Sequence, residues 1–275
     1  MTRLAGTPIL LISTLATPAL RLDSYDAAVA NAALAGIDLD ATNDIRRMLV
    51  GSRSMHRALA HPGVKSVWLR PLQLETPGLT PLRDIARVTG PAALPLLVID
   101  VPVGVESEDA LALQMDAAGR VRAAVGIDYP IALAIRAENE DGSHEHLDRL
   151  HMLRHRVSEW DLKLALDLTT RPDGSWEAEA AMNRILPRLA MIRVTVPRTF
   201  LSGGTRWRIA SRVIAASTDS GFRGYLSIAP ELSLWEKRSV GALADRSAIF
   251  AENVERRAIR VHNERLRSHI RRQFR

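Results

Sequence analysis

Four charged residues stand at or just beyond the ends of short apolar segments and could carry acid–base chemistry. Asp100 follows the apolar run Leu96–Ile99, and Arg136, Glu138 and Asp167 stand at or after the ends of similar runs later in the chain. A carboxylate can remove a proton next to a carbonyl group while a nearby guanidinium stabilises the negative charge that develops. We therefore predict Asp100, Arg136, Glu138 and Asp167 as catalytic residues.

A second set of polar residues occupies corresponding positions after other apolar runs. The alternative to a binding role is a structural one, in which arginine–carboxylate pairs offset the cost of burying polar groups at strand ends. Asp38 and Ser227 share these positions, and we assign them no specific role. The predicted substrate-binding residues are Asp40, Arg70, Thr170, Thr195, Arg198 and Glu231.

Eight apolar runs alternate with amphipathic segments and must position these residues. Runs that are apolar on both faces suit parallel strands covered by helices. Glycines at Gly36, Gly126 and Gly221 follow amphipathic segments, where a helix must turn back into a strand. The predicted strands are Ile9 to Leu15, Gly36 to Ala41, Ser66 to Arg70, Leu94 to Val101, Ile131 to Ala137, Leu162 to Leu168, Met191 to Val196 and Gly224 to Ile228. The predicted helices include Tyr25 to Ala35, Pro81 to Val88, Ser107 to Val125, His144 to Val157, Trp176 to Leu189 and Thr205 to Ser220.

This alternation predicts an α/β fold, a single (β/α)8 TIM barrel. An open, doubly wound sheet is the alternative, but that fold more often shows a glycine-rich phosphate loop after its first strand. The segment Ser13-Thr-Leu-Ala16 has no glycine. In a barrel, polar residues at the C-terminal ends of strands form the site, which is why we select the residues above.

Composition excludes several classes of protein. The chain has 275 residues, of which 47% are hydrophobic and 25% are charged, and it contains no cysteine. Disordered, collagen-like and polytopic membrane proteins do not have this composition. The absence of cysteine excludes disulfide scaffolds, iron–sulfur clusters and thiol nucleophiles.

The apolar run after Pro8 could pass for a signal peptide, but a buried first strand explains this run better. We therefore predict a cytoplasmic protein without a membrane span.

The positive charge is concentrated at the C-terminus. Residues 256–275 carry eight arginines and one glutamate, whereas the chain as a whole has a net charge of +6. We expect residues 1–255 to form the barrel and residues 256–275 a basic helical tail. The tail could be a solvated helix end, a contact to a second copy or protein partner, or a handle for an anionic surface. It lacks aromatic residues other than Phe274, which disfavours nucleic acid as the partner.

We expect one long helix to begin near Arg246 and to end near Phe274, closing the barrel before it continues as the tail. Its predicted apolar side consists of Ile249, Val254, Ile259, Val261, Leu266 and Ile270.

Two further features point weakly to ligand binding. His151 and His155 have the i, i+4 spacing that can hold a metal ion, although a solvated helix face explains them better. Gly203 and Gly204 precede a predicted helix and could offer backbone N–H groups to a phosphate, although a plain loop is the simpler interpretation.

Several strand segments resemble those of the xylose isomerase-like TIM barrels. This superfamily contains sugar and sugar-phosphate isomerases and epimerases as well as endonuclease IV-type DNA repair enzymes. Ala35-Gly-Ile-Asp-Leu-Asp40 is similar to the second strand of the family, Pro130-Ile-Ala-Leu-Ala-Ile-Arg136 to the fifth, Leu162-Lys-Leu-Ala-Leu-Asp-Leu168 to the sixth, and Gly221-Phe-Arg-Gly-Tyr-Leu-Ser-Ile228 to the eighth. The resemblance covers nearly the whole chain and implies a divalent cation at the C-terminal ends of the strands.

The implied metal ligands are mostly replaced in this chain. Asp167 matches the aspartate of the sixth strand. The resemblance would place a glutamate at Arg136 or, with a shift of two residues, at Glu138. The remaining implied ligand positions are a histidine at Thr170, a histidine at Arg193 or Thr195, and a glutamate at Ala229 or, after a shift, Glu231.

We accordingly predict no metal and no other cofactor. A divalent cation needs several oxygen or imidazole ligands at one point, and an arginine would bring a permanent positive charge into its place. We expect Arg136 to occupy that place and to pair with Asp167 on the neighbouring strand.

The resemblance and the missing ligands lead to two functional hypotheses. The first is an isomerase- or epimerase-like barrel that has lost its metal and binds a polar, anionic small molecule at its C-terminal mouth. Whether the protein is an enzyme stays open, and an isomerase, epimerase or lyase would act through metal-independent acid–base chemistry. The second is a catalytically inert scaffold that contacts its partner through the arginine-rich tail.

Overall fold

A computed structural model describes residues 8–16, 22–42, 52–90, 94–102, 107–126, 128–136, 144–168, 184–196, 215–230, 232 and 239–273. Its strands form a closed, entirely parallel barrel in the order β1 to β8, which confirms the predicted TIM barrel. The strands are β1 Ile9–Ser13, β2 Gly36–Asp40, β3 Val64–Leu69, β4 Leu96–Ile99, β5 Ile131–Arg136, β6 Lys163–Asp167, β7 Leu189–Val196 and β8 Tyr225–Pro230.

Helices follow most of the strands and cover the barrel. The long helices are α1 Leu22–Asn31, α2 Ser52–Leu59, α3 Thr76–Thr89, α4 Ser107–Val125, α5 His144–Glu159 and α6 Val240–Gln273. Residues 215–219 form the end of another helix before β8. Short 3-10 turns occupy Thr14–Ala16, Pro71–Leu74 and Leu186–Arg188. Much of the predicted helices from Trp176 to Leu189 and from Thr205 to Ser220 lies outside the described residues, and Leu189 already belongs to β7.

The two faces of the strands bury different sets of apolar side chains. Outward-facing residues such as Leu10, Ile12 and Leu133 join the large core between the strands and the helices. The inward-facing residues form a second, smaller core inside the barrel, where alanines lie among larger side chains. This inner core contains Leu11, Trp68, Leu96, Val98, Ala132, Ala134, Ala165 and Met191. The predicted burial of both faces of the strands is therefore confirmed.

Glycines serve two different purposes at the ends of elements. Gly126 and Gly221 have positive φ angles of 126° and 73°, which lets the chain leave a helix, as predicted. Gly36 was also predicted to end a helix. In the structure α1 ends at Asn31, and Gly36 is the first residue of β2. A Cβ atom on Gly36 would lie 2.5 Å from the carbonyl oxygen of Gly63, so the close approach of the two chain segments requires glycine.

Helix α6 closes the barrel and then extends from it. Its 34 residues correspond to about 50 Å, and its first half packs against α1 and β8. Val254 and Val261 are buried as predicted, but Ile249 and Ile259 are exposed, so the predicted apolar side is only partly correct. The helix begins at Val240, six residues before the predicted start. None of the described helices is both long and apolar enough to span a membrane.

Candidate functional site

A buried polar cluster lies inside the barrel next to the inner apolar core. Its centre is Asp38 of β2, which is fully buried. Its Oδ1 accepts hydrogen bonds from Ser66 Oγ at 2.6 Å and from Trp68 Nε1 at 2.9 Å. Its Oδ2 accepts from Ser227 Oγ at 2.6 Å and from Arg193 Nε at 2.9 Å. Four donors from β3, β7 and β8 thus compensate for the desolvation of this carboxylate.

Arg193 supplies the positive charge of this cluster. Besides the bond to Asp38, its Nη1 donates to Asp40 Oδ2 at 2.6 Å. Its Cζ lies 3.6 Å from the centroid of the Trp68 ring, a cation–π contact. Burial alone would lower the pKa of Arg193, but the carboxylates of Asp38, Asp40 and Asp167 outweigh that effect and hold the pKa above its ordinary value. The guanidinium is therefore a permanent, fixed cation.

Asp40 is held by local contacts in addition to Arg193. Its backbone N–H donates to Thr14 Oγ1 at 2.8 Å, which ties the end of β2 to the turn after β1. Its Oδ1 accepts from the backbone N–H and the hydroxyl of Thr42, at 3.1 and 2.7 Å. Both oxygens of Asp40 are thereby engaged, and the carboxylate is fixed as a partner of Arg193.

One donor of Arg193 has no partner among the described residues. Nη2 is buried and makes no hydrogen bond there, although Nε and Nη1 are both paired. Buried guanidinium N–H groups are nearly always hydrogen-bonded in folded proteins. Nη2 is accordingly a buried donor for which the described residues supply no acceptor.

The structure places several predicted site residues around this cluster. Asp167 ends β6 and is buried, and its backbone is in register with Arg193 of β7. Asp100 follows β4 and is also buried. Thr195 lies two residues beyond Arg193 on the same side of β7, and Arg70 follows β3 half-buried. Together with Asp40, these residues lie at the C-terminal ends of the strands, as predicted.

Other predicted residues cannot be placed. Glu138, Thr170, Arg198 and Glu231 lie outside the described residues, as do Gly203 and Gly204. The backbone of Arg136 is in register with that of Asp167, but the side chain of Arg136 lies outside the described part of the structure. The pair of Arg136 with Asp167 therefore stays a prediction.

The central cation was not predicted from the sequence. Arg193 was expected only as a replaced histidine, Asp38 had no assigned role, and Ser66 and Trp68 were not among the candidates. A usable signal was present, because Arg193 interrupts the apolar strand Met191-Ile-Arg-Val194, and a charge inside a buried strand needs a partner. Asp38 and Asp40 are two residues apart and so lie on one face of β2, and this pair of carboxylates was the corresponding signal for a partner of Arg193.

Two glutamine side chains donate hydrogen bonds to backbone carbonyl groups near the ends of the strands. Gln114 of α4 donates from Nε2 to the carbonyl oxygens of Ile99 and Ala134, both at 2.8 Å. Gln73 donates from Nε2 to the carbonyl oxygen of Ala41 at 2.8 Å. These bonds satisfy backbone acceptors at the ends of β4 and β5 and just after β2, and they help to hold the site rigid.

The described residues do not fit a divalent cation in this cluster. Of the implied ligands, Asp167 is present, but Ala229 is apolar and Arg193 places a guanidinium beside Asp38 and Asp40. Three carboxylate or imidazole ligands converge at a single place in the described ranges, and that place is elsewhere, on α1 and the turn before β3. Because Glu138, Thr170 and Glu231 lie outside the described residues, the absence of a metal at the barrel mouth stays a prediction.

The convergent group outside the barrel consists of Asp23, Asp26 and His61. The backbone N–H of Gly63 donates to His61 Nδ1 at 3.2 Å, and His61 Nε2 lies 3.1 Å from Asp26 Oδ2. Because Nδ1 accepts a hydrogen bond, Nε2 carries the proton and donates it to Asp26. These contacts tie α1 to the start of β3.

Comparison with solved structures reveals the same fold in sugar epimerases. No protein-family model and no curated protein sequence matches this chain. The apo form of 3-keto-D-glucoside 4-epimerase YcjR from E. coli is similar at a TM-score of 0.54 and 11% identity, over 89% of this chain and 99% of that one. D-allulose 3-epimerase from Methylomonas sp. is similar at a TM-score of 0.52 and 14% identity, over 91% of this chain and 98% of that one.

Both likenesses extend over nearly the full length of each protein, so they concern the whole barrel. At these identities they establish the fold and leave the site chemistry to the residues of this chain. The chain therefore has the same TIM-barrel fold as these two sugar epimerases.

Proposed function

We propose that this protein is a sugar isomerase- or epimerase-like barrel that binds its ligand beside Arg193 without a divalent cation. The observation that carries the proposal is the fixed guanidinium of Arg193, which is held by Asp38 and Asp40 and keeps Nη2 unpaired among the described residues. A preorganised donor of this kind binds a carbonyl, hydroxyl or carboxylate oxygen. The sugar epimerases of the same fold support a polyhydroxylated ligand.

The charge of the described side chains bears on the class of ligand. Asp38, Asp40, Asp100 and Asp167 are all buried or nearly so, whereas Arg193 is the one buried arginine in the described part of the cluster. Carboxylates accept hydrogen bonds from sugar hydroxyls, so this lining favours a polyol. An anionic group on the ligand, as the sequence predicts, could be bound by Arg193 together with Arg70, Arg136 or Arg198.

The cluster also supports acid–base chemistry in the proposed site. Asp167 lies close enough to Arg193 to help hold the pKa of Arg193 above its ordinary value. A carboxylate in this position can remove a proton next to a carbonyl group, and Arg193 Nη2 can stabilise the resulting enolate oxygen. Such a pair would perform an isomerisation or epimerisation without a metal.

A thermal-shift screen tests this proposal. Neutral sugars, sugar phosphates and keto acids are each added to the full-length protein with and without EDTA. Stabilisation by a sugar or sugar phosphate that survives EDTA is the expected result. Stabilisation that requires Mn²⁺ or Mg²⁺ and disappears with EDTA would contradict the metal-free site. The comparison of phosphorylated with unphosphorylated sugars decides whether the ligand is anionic.

Amide substitutions test the acid–base part of the proposal. Any ligand found in the screen is incubated with the protein, and isomer formation is followed by NMR. Asp167→Asn and Asp100→Asn each keep the size of the side chain and should reduce turnover by about a hundredfold or more where that carboxylate is the base. Asp245→Asn, on the exposed side of α6, serves as the control and should leave turnover unchanged. Unchanged turnover in both site variants would refute these assignments.

The second candidate function is a scaffold that acts through the end of α6. The described side chains beyond Val261, namely His262, Asn263, Glu264 and Arg267, are exposed, so this part of the helix has left the barrel. Deletion of residues 262–275 should leave ligand stabilisation intact if the barrel is a small-molecule site. A scaffold should instead lose its partner on this deletion and show no response to any small molecule.

A further inference from the structure

Helix α5 presents two imidazole rings to each other near its C-terminal end. His151 and His155 lie one turn apart, with their Nε2 atoms 3.2 Å apart. The ring centroids are 4.7 Å apart and the planes meet at 72°. His151 is half-buried and His155 is exposed, so solvent reaches the pair. This pair lies on the outer helical layer and is separate from the Arg193 cluster.

We propose that His151 and His155 form a binding site for a borderline transition-metal ion such as Zn²⁺, Ni²⁺ or Cu²⁺. Two imidazole nitrogens bound to one tetrahedral zinc ion at about 2.0–2.1 Å lie about 3.3 Å apart. The observed separation of 3.2 Å is close to this value, so the two nitrogens are already spaced for one ion. Each Nε2 offers its lone pair when the ring proton is on Nδ1.

Two arginine side chains near the pair are held by other groups. Arg154 of α5 donates from Nη1 to the carbonyl oxygen of Arg184, and Arg188 bonds to Ser158 Oγ and Asp161 Oδ1. Two of the nearby guanidinium groups are thereby engaged with other partners. Water molecules can complete the coordination shell on the exposed side of His155. Hard cations such as Mg²⁺ prefer oxygen ligands and should not bind here.

Without metal the same pair is joined by a hydrogen bond, in which one Nε2–H donates to the other Nε2. A metal ion replaces that proton and uses the geometry that the helix has already set. Because one ring holds the ion beside the other, the second ring acts at a high effective concentration. Loss of either ring should therefore cost much more affinity than loss of an isolated surface histidine.

Isothermal titration of the full-length protein with ZnCl₂ and NiCl₂ tests this proposal. We expect one site on the wild-type protein, and we expect His151→Ala and His155→Ala each to weaken binding by roughly tenfold or more. Asp23, Asp26 and His61 form another cluster that could contribute, so His61→Ala is the first control. His262→Ala, an isolated exposed histidine on α6, is the second. Neither control should change the affinity.

A spectroscopic readout complements the titration. The electron paramagnetic resonance spectrum of one equivalent of Cu²⁺ should show coordination by two imidazole nitrogens in the wild type and by fewer in His155→Ala. His155 is exposed, so this variant should fold normally, which its circular dichroism spectrum checks. No binding to the wild type, or equal binding by the His151→Ala/His155→Ala double variant, would overturn the proposal.

This site affects how the metal arm of the ligand screen is interpreted. Stabilisation by Zn²⁺ or Ni²⁺ that disappears in His155→Ala comes from α5 and says nothing against a metal-free barrel mouth. Stabilisation by Mn²⁺ or Mg²⁺ that persists in His155→Ala would come from another site.

Discussion

Replacement of Arg193 by methionine tests the central contact of the barrel. Methionine approximates the length of the aliphatic stem but removes the charge and the bonds to Asp38 and Asp40. Asp38 would keep its bonds from Ser66, Trp68 and Ser227, but it would stay buried without a counter-charge. Breaking a buried ion pair by removing one partner costs about 3–5 kcal/mol.

This loss corresponds to a measurable change of melting temperature. For 275 residues the entropy of unfolding is about 0.6 kcal/mol/K, so Arg193→Met should lower the Tm by about 5–9 °C. Differential scanning calorimetry and urea unfolding should report the same free-energy difference if unfolding is two-state. Arg257→Met is the matched control, because Arg257 pairs with Asp219 on the partly exposed surface. Its loss should cost at most about 1 kcal/mol.

A double variant separates the lost charge from lost packing. In Arg193→Met/Asp38→Asn, the amide at position 38 is neutral and can still accept hydrogen bonds from Ser66 and Trp68. Its free energy of unfolding should exceed the value expected from adding the two single losses by about 1–3 kcal/mol. Strict additivity, or an Arg193→Met loss below about 1 kcal/mol, would refute the view that this ion pair stabilises the barrel interior.

Three further predictions concern other parts of the chain. Gly36→Ala should destabilise the protein by about 1–3 kcal/mol in urea unfolding, because the new Cβ would lie 2.5 Å from the carbonyl oxygen of Gly63; a neutral effect would contradict the close packing. Burial raises the pKa of Tyr129, whose hydroxyl donates to the carbonyl oxygen of Pro95, so the unfolded chain loses this proton first and stability should fall as the pH rises above about 10. Tyr129→Phe should show a smaller fall of Tm between pH 9 and pH 11, as measured by circular dichroism, and an identical fall would argue against this cause. Deletion of residues 262–275 should change the Tm by no more than about 2 °C, because the described side chains in that segment are exposed; a larger loss would show that the end of α6 packs on the barrel.

Local pattern was enough to predict the strands and most of the helices. Helix α4 was predicted at its observed bounds, Ser107–Val125, because capping residues and an amphipathic pattern mark both ends. Helix α2 was not predicted. Its sequence, Ser52–Leu59, is mostly polar, and Ala58 and Leu59 are its buried apolar residues among those described. Met55, Ala58 and Leu59 have the i, i+3, i+4 spacing of a helical apolar face, so a local signal was present, but it spans only two turns.

The strand-end positions of several candidate site residues were predicted, whereas their roles in a site stay predictions and the partners of Arg193 were not predicted. Asp40, Asp100 and Asp167 were selected because charges at the ends of apolar strands in a barrel face its mouth, and the structure places them there. The role of Arg193 was missed because its partners lie about 150 positions earlier in the sequence. Nothing local to β7 indicates which carboxylate a buried arginine will meet.

The sequence by itself determined the alternation of strands and helices, the apolar character of both strand faces and hence the barrel. These properties depend on side-chain period and local capping, which neighbouring residues encode. Only the tertiary structure decided that Asp38, Ser66, Trp68, Arg193 and Ser227 share one cluster. The physical reason is that closure of the barrel and the register between β2, β3, β7 and β8 set these distances. A shift of one residue in any of these strands would turn its polar side chain toward the helices.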